Sequence, residues 1–167
     1  HDPHGPTRTV PLVSAVLLSY NCESLIADAV RGILRQDYAG PMEIVASDDA
    51  STDGTFAILQ SELASAGAER KVCLLRRGSN SGSKSAHLND VFPRTAGEIL
   101  ISFDADDVAE SSRVSRIVAA FTASPSIHAV YSSFSQMDPA GRPLGRGFTA
   151  SALCSSALAT RCIFCAW

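Results

Sequence analysis

Two acidic clusters carry most of the chemistry this chain could perform. Asp48-Asp49-Ala50-Ser51-Thr52-Asp53-Gly54-Thr55 closes one short apolar run, and Asp104-Ala105-Asp106-Asp107 closes another. Carboxylates crowded together repel one another, so their cohabitation points to a bound cation. Mg2+ or Mn2+ suits carboxylate oxygens and bridges readily to phosphates. Ser51, Thr52 and Asp53 also read as a turn and helix cap, because small hydroxyls and Asp-Gly pairs serve that purpose equally well. Asp104 and Asp106 stand directly behind an apolar strand, a place that favours a site over a cap. A third feature is Ser19-Tyr20-Asn21, which ends the first apolar run and adds an aromatic ring.

Between the clusters, Asn80-Ser81-Gly82-Ser83-Lys84-Ser85-Ala86-His87-Leu88-Asn89 combines glycine, small hydroxyls and a lysine at a helix start. Such a segment can approach a diphosphate closely. It reads equally as a solvated loop with Ser83 as the helix N-cap. His87 reads as a helix-face residue and not as a base. Two other loops are set aside. Asp49, Ser51, Asp53 and Gly54 match the first half of an EF-hand loop, but Gln60 stands where its bidentate Glu is required, and the segment follows a strand. A Walker-type phosphate loop is excluded, because its Gly-Lys-Ser/Thr ending is absent.

The elements that must position these residues alternate. Apolar runs at Val13 to Ser19, Glu43 to Ser47, Lys71 to Leu75, Glu98 to Phe103 and His128 to Ser135 predict strands. Leu25, Ile26, Ala29, Val30, Ile33 and Leu34 recur at helical spacing, as do Phe56, Leu59 and Leu63, and later Val114, Ile117, Val118 and Phe121. Another helix is expected from Lys84 to Val91, with Pro93 stopping it, and a tight turn at Pro139 to Arg142. Strands and helices in this order predict an α/β fold, an open, mostly parallel sheet with helices on both faces. Ligands then bind beyond the carboxyl ends of the strands, where both acidic clusters and Tyr20 fall.

Composition narrows the class. With 46% hydrophobic residues in 167, one domain can bury a real core. A net charge of −3 and pI near 5.8 argue against a nucleic-acid binder, which needs a basic face. Five cysteines at scattered spacing do not make a disulfide framework, so a reducing, cytoplasmic setting is expected, with any membrane association supplied by other chains or regions. Cys162 and Cys165 lack a second pair at zinc-finger spacing and read as small buried thiols. The run from Val10 to Leu18 is too short to span a bilayer.

Taken in order, the strand with Ser-Tyr-Asn, then Asp-Asp-x-Ser-x-Asp-Gly-Thr, then Asp-Ala-Asp-Asp after a strand, resembles the family 2 glycosyltransferases of the Rossmann-like GT-A fold. The loop from Asn80 to Asn89 is similar to the branch with Lys-x-x-x-Leu-Asn, one residue longer from Asn80. The resemblance implies a nucleoside-diphosphate sugar donor, UDP by family habit, and a saccharide, lipid or other hydroxyl acceptor. It implies that Tyr20 stacks on the base, that Asp49 hydrogen-bonds it, and that Asp104 and Asp106 meet the ribose and a Mn2+ or Mg2+ ion, Asp106 as the main ligand. Ser19, Asn21, Ser51, Lys84 and Asn89 complete the expected donor-nucleotide set.

The stretch from His1 to Thr9 is polar and turn-rich and reads as a disordered segment 1–9, and the resemblance divides the rest into a nucleotide-sugar-binding domain 10–148 and 149–167, the start of an incomplete acceptor-side region. Arg161 has a faint counterpart in that region. No residue matches the family's catalytic base, which stands further on, so the catalytic residue is unknown. The implied reaction is metal-dependent and inverting. A second reading keeps the fold as a catalytically incomplete nucleotide-sugar-binding or assembly module. A third, a nucleotidyltransferase, lacks the glycine-rich first loop. The stretch from Ala150 to Trp167 carries Leu153, Leu158, Ile163, Phe164 and Trp167 with Arg161 as its sole charge. Apolar surface is stabilised by roughly 25 cal/mol for each Å2 removed from water, so this end is expected to drive self-association.

Overall fold

The computed structural model describes residues 10–124, 126–138, 140–148, 153–154 and 161–163, the last two segments in backbone only. The chain runs β1 (Val13–Ser19), α1 (Ile26–Leu34), β2 (Met42–Asp48), α2 (Thr55–Leu63), β3 (Lys71–Arg76), α3 (Lys84–Val91), a 3-10 turn (Phe92–Arg94), β4 (Ile99–Asp104) and α4 (Arg113–Ala123). Short strands follow: β5 (Ala129–Val130), β6 (Phe134–Met137), β7 (Pro143–Phe148), β8 (Leu153–Cys154) and β9 (Arg161–Ile163). A seven-stranded sheet is ordered β3-β2-β1-β4-β9-β5-β8, and β6 and β7 form a separate pair.

β1 is parallel to both neighbours, with Val13 opposite Met42 and Ile99, while β3 joins β2 in parallel from Glu43 opposite Lys71. The carboxyl ends Ser19, Asp48, Arg76 and Asp104 therefore share one edge. Side chains alternate across the strands. Val13, Ala15, Leu17, Ile44, Ile101 and Phe103 meet Ile26, Val30 and Ile33 of α1, Leu59 of α2 and Phe121 of α4 in one buried cluster. Val16, Leu18, Val45 and Leu100 meet Val91 of α3 in a smaller one. Helices thus cover both faces, as expected.

The helix boundaries follow from local chemistry. Ser83 takes extended backbone and its Oγ accepts the Ala86 amide at 3.2 Å, so the N-cap reading of this serine is what the structure shows. The chain just before β4 is pressed against β1: a Cβ on Gly97 would come within 2.5 Å of Ser14 N, which leaves room for glycine alone. Glu43, buried on the α3 face, accepts Ser14 Oγ and the Ala96 amide, both at 2.6 Å, and so pins that approach.

The run from His128 to Ser135 is not one strand. It joins the seven-stranded sheet only at Ala129–Val130, and its end belongs to Phe134–Met137, which forms an antiparallel hairpin with Pro143–Phe148. The turn between them explains the split. Asp138 accepts the Ala140 and Arg142 amides at 2.9 Å, closing a loop that gives the second half of the run its own partner. The hairpin reverses between Asp138 and Arg142, where the turn was expected, and Pro139 itself lies outside the described residues. Leu25, placed on the apolar stripe of α1, caps that helix instead and is 45% exposed. The segment 1–9 and most of 149–167 lie outside the described residues, and with them the side chains expected to drive self-association; the backbone of Arg161–Ile163 pairs in parallel with β4.

Candidate functional site

A cleft of about 540 Å3 opens beyond the carboxyl ends of β1, β2 and β4, with the start of α3 as its fourth wall. Ser19, Tyr20, Asn21, Asp49, Lys84, Asp104 and Asp106 all line it. Of the expected donor-nucleotide set, Ser51 and Asn89 do not. Asn89 is exposed on α3. Ser51 is buried behind the cleft, where its Oγ donates to Asp48 Oδ1 at 2.5 Å and accepts the Asn21 amide at 2.9 Å.

The paired aspartates at the end of β2 do different work. Asp48 is fully buried and folds the turn after it: Oδ2 accepts the Ser51 amide at 3.0 Å, and Arg76 Nε lies 3.5 Å away. This turn holds Ala50 at φ 61, and Asn21 opposite it at φ 46. Left-handed backbone costs alanine roughly 1–2 kcal/mol, so strain is concentrated here and held by the Asp48 contacts. Asp53 ends the turn, its carboxylate accepting the Thr55 amide at 3.0 Å and the Glu23 amide at 3.2 Å. Hydrogen bonds from Thr55 first, then the backbone, hold its carboxyl below the ordinary range.

Asp49 turns the other way and grips the loop before α3. Its Oδ1 accepts the Ser81 amide at 2.9 Å and faces Arg77 Nε at 3.0 Å; its Oδ2 accepts Ser81 Oγ at 2.7 Å. Asn80 Nδ2 donates to the Asp49 carbonyl at 3.2 Å. A carboxylate offers about four acceptor positions, so one remains for a ligand. Arg77 is tied in turn to Asp90.

Asp104 and Lys84 meet across the cleft, Nζ to Oδ1 at 2.5 Å. Asp106 stands exposed beside them. Partial desolvation first, then repulsion from Asp106 and Asp104, pushes the Asp107 carboxyl above the ordinary range. Negative charge here exceeds what Lys84 offsets. Gln36, buried under this loop, holds its far end: Nε2 donates to the Glu110 carbonyl at 2.8 Å and Oε1 accepts the Val114 amide at 2.9 Å. Among the described residues no group of three or more His, Cys, Asp or Glu side chains converges on a metal position. Asp104 and Asp106 fit an ion that keeps several ligands from phosphate and water, as Mg2+ commonly does.

His87 also lines the cleft although it is only 3% exposed, with Nε2 2.7 Å from Ser47 Oγ. The helix-face reading of the sequence placed it correctly on α3 but did not bring it to the cleft. Cys22, half-buried in the same wall, has its thiol pushed up by burial.

The arrangement has relatives. The chain is 38% identical over 114 residues to a beta-monoglucosyldiacylglycerol synthase of Nostoc sp., covering 68% of this chain and 24% of that protein. The chain thus spans about a quarter of that relative. Among solved structures, the mannosyltransferase PcManGT from Pyrobaculum calidifontis, in complex with GDP-Man and Mn2+, is 29% identical, with a TM-score of 0.62 over 78% of this chain and 37% of that one. S. aureus TarS 1-349 in complex with UDP-GlcNAc has 23% identity and a TM-score of 0.65, over 83% of this chain and 37% of that one, and shares the fold. The two solved structures have the GT-A architecture expected from the motifs. Residues 14–154 match the family described as Glycosyl transferase family 2, and the chain belongs to that family.

Proposed function

We propose that this region binds the donor of a glycosyltransferase that moves a sugar from a nucleoside-diphosphate sugar, UDP-linked, to a hydroxyl on a saccharide, lipid or other acceptor. The observation that carries the reading is one cleft in which an exposed aromatic, a buried acceptor carboxylate, a lysine and two further carboxylates meet at strand ends. Tyr20, 50% exposed at the rim, offers a face for a base. Asp49 offers its remaining acceptor position to a base N–H. Lys84, at the first turn of α3, exchanges its Asp104 partner for diphosphate oxygens. Asp106, with Asp104, would hold Mn2+ or Mg2+, and that ion, when bound, supplies positive charge against the leaving diphosphate.

Inversion is the expected stereochemistry, with a single displacement assisted by a base outside the residues assigned here. The named ligands of the structural relatives, UDP-GlcNAc and GDP-Man with Mn2+, support a nucleotide-sugar donor and a cation. The lipid product in the name of the Nostoc protein supports a lipid among the acceptor classes. No helix among the described residues is long and apolar enough to cross a membrane, and a cytoplasmic setting is proposed from the cysteine pattern.

The test is release of UDP from UDP-sugars in the presence of Mn2+. Turnover, by transfer or by slow hydrolysis, supports the enzyme. Donor binding without turnover supports the incomplete binding or assembly module. Failure to bind any nucleoside diphosphate overturns both.

A further inference from the structure

His87 has no part in the assignments above, yet its surroundings are those of a recognition group. It sits one turn into α3, is 3% exposed, and still borders the cleft beside Asp49 and Lys84. Ser47 Oγ is the single hydrogen-bond partner of its ring among the described residues, at Nε2 and 2.7 Å. Nδ1 is therefore the ring atom with hydrogen-bonding capacity to spare. Among the described residues Nδ1 is not one of the sealed, unpaired side-chain atoms, so it keeps access to solvent, and a ligand that displaces that solvent must offer it a partner. The ring is neutral near pH 7. Burial holds its pKa below the ordinary histidine range; Asp49 and Asp48 act against that shift and Arg77 acts with it.

The Ser47 hydroxyl can donate to Nε2, which puts the ring proton on Nδ1 and makes that atom a donor in a residue that lines the cleft. Asp49, in the same wall, can only accept. A neutral donor next to an acceptor carboxylate complements a carbonyl next to an N–H. That is the imide edge of uracil, and guanine carries the same edge. Cytosine and adenine present the reverse order there, an amine beside a bare ring nitrogen, and would face Asp49 with a lone pair.

We infer that His87 Nδ1, held by Ser47 and paired with the Asp49 carboxylate, selects nucleoside diphosphates with an imide-edged base. This rests on the reading of the cleft as a nucleotide site, and the experiment separates the two. Dissociation constants for UDP, GDP, CDP and ADP are measured by titration calorimetry with Mn2+, for the wild type, His87→Phe and Ser47→Ala. The wild type prefers UDP to CDP and ADP by at least about tenfold, the worth of one mispaired hydrogen bond. His87→Phe, which keeps ring volume and burial but has no nitrogen, brings that ratio within about threefold. Ser47→Ala keeps the ring and removes its fixed tautomer, and lowers the ratio part of the way. It serves as the decisive variant if the phenylalanine does not fold by thermal melting. GDP bound like UDP puts selection in the imide edge alone; GDP rejected adds a size limit to the same edge, and either result supports the assignment. UDP preference unchanged in the variants overturns it while leaving the nucleotide site intact. A wild type that binds none of the four overturns both.

Discussion

The two faces of the sheet are built from the same strands and differ in almost everything else. The face under α1, α2 and α4 is continuous hydrocarbon from Met42 and Val13 to Phe103 and Phe121. The face under α3 has a small apolar patch around Val16, Val45 and Leu100, with Ser14 and Glu43 buried at one end and Ser47, His87 and Asp104 at the other. Dense hydrocarbon on one side can hold the sheet rigid, which leaves the other side free to bury polar groups that a ligand can use. The cleft opens on the polar side because the side chains of Ser47 and Asp104 alternate onto it.

The apolar face should be the more sensitive of the two to substitution. Phe121→Ala should destabilise by about 3–5 kcal/mol in urea unfolding, the usual cost of deleting a buried aromatic. A loss under about 1 kcal/mol would mean that this face is not the foundation described here. Glu43→Gln on the polar face should cost less, about 1 kcal/mol, because the amide oxygen can still accept from Ser14 and Ala96 as Oε1 does, and what is lost is the charge that strengthens those bonds and faces Lys71. Burial raises the Glu43 carboxyl, but hydrogen bonds from Ser14 and Ala96 and the nearby Lys71 outweigh it and hold the group below the ordinary range. A depressed carboxylate stabilises fully above its unfolded pKa of about 4.3 and loses that contribution as pH falls through the folded value. The wild type should therefore lose stability faster than Glu43→Gln below about pH 4.3; parallel curves in acid would contradict the pinning role.

The smallest effect belongs outside both faces. Arg31 bridges α1 to Glu62 of α2 at 2.6 Å, half in solvent. Exposed pairs contribute little, so Arg31→Ala should move the melting midpoint by no more than about 2 °C, and less in high salt.

What could be read in the sequence differs between the faces for the same reason. The apolar side announces itself by period, in Ile26, Val30 and Ile33 of α1 and Val114, Ile117 and Phe121 of α4, while on the other side Pro93 marked the end of α3. The acidic clusters and Tyr20 were legible because strand ends of a parallel sheet converge. The contacts that shape the cleft join residues far apart in the chain, and no local pattern reports them. His87 meets Ser47 across 40 positions, Ser81 meets Asp49 across 32, and Gln36 meets Val114 across 78. Ser51 could be read as a turn residue or as a ligand contact, and its hydroxyl is given to Asp48 three residues before it. The run at His128 misled because alternation does not say which strand will be the partner.

If the second acidic cluster makes this cleft a cation-assisted diphosphate site, Mn2+ must strengthen UDP binding through Asp106. Titrating UDP into the wild type and into Asp106→Ala, each with and without Mn2+, tests it most directly. The wild type should bind UDP at least about tenfold more tightly with the metal, a gain of roughly 1.4 kcal/mol or more, and Asp106→Ala should bind equally weakly in both conditions. A variant that keeps the wild-type affinity and the wild-type response to Mn2+ would contradict the account.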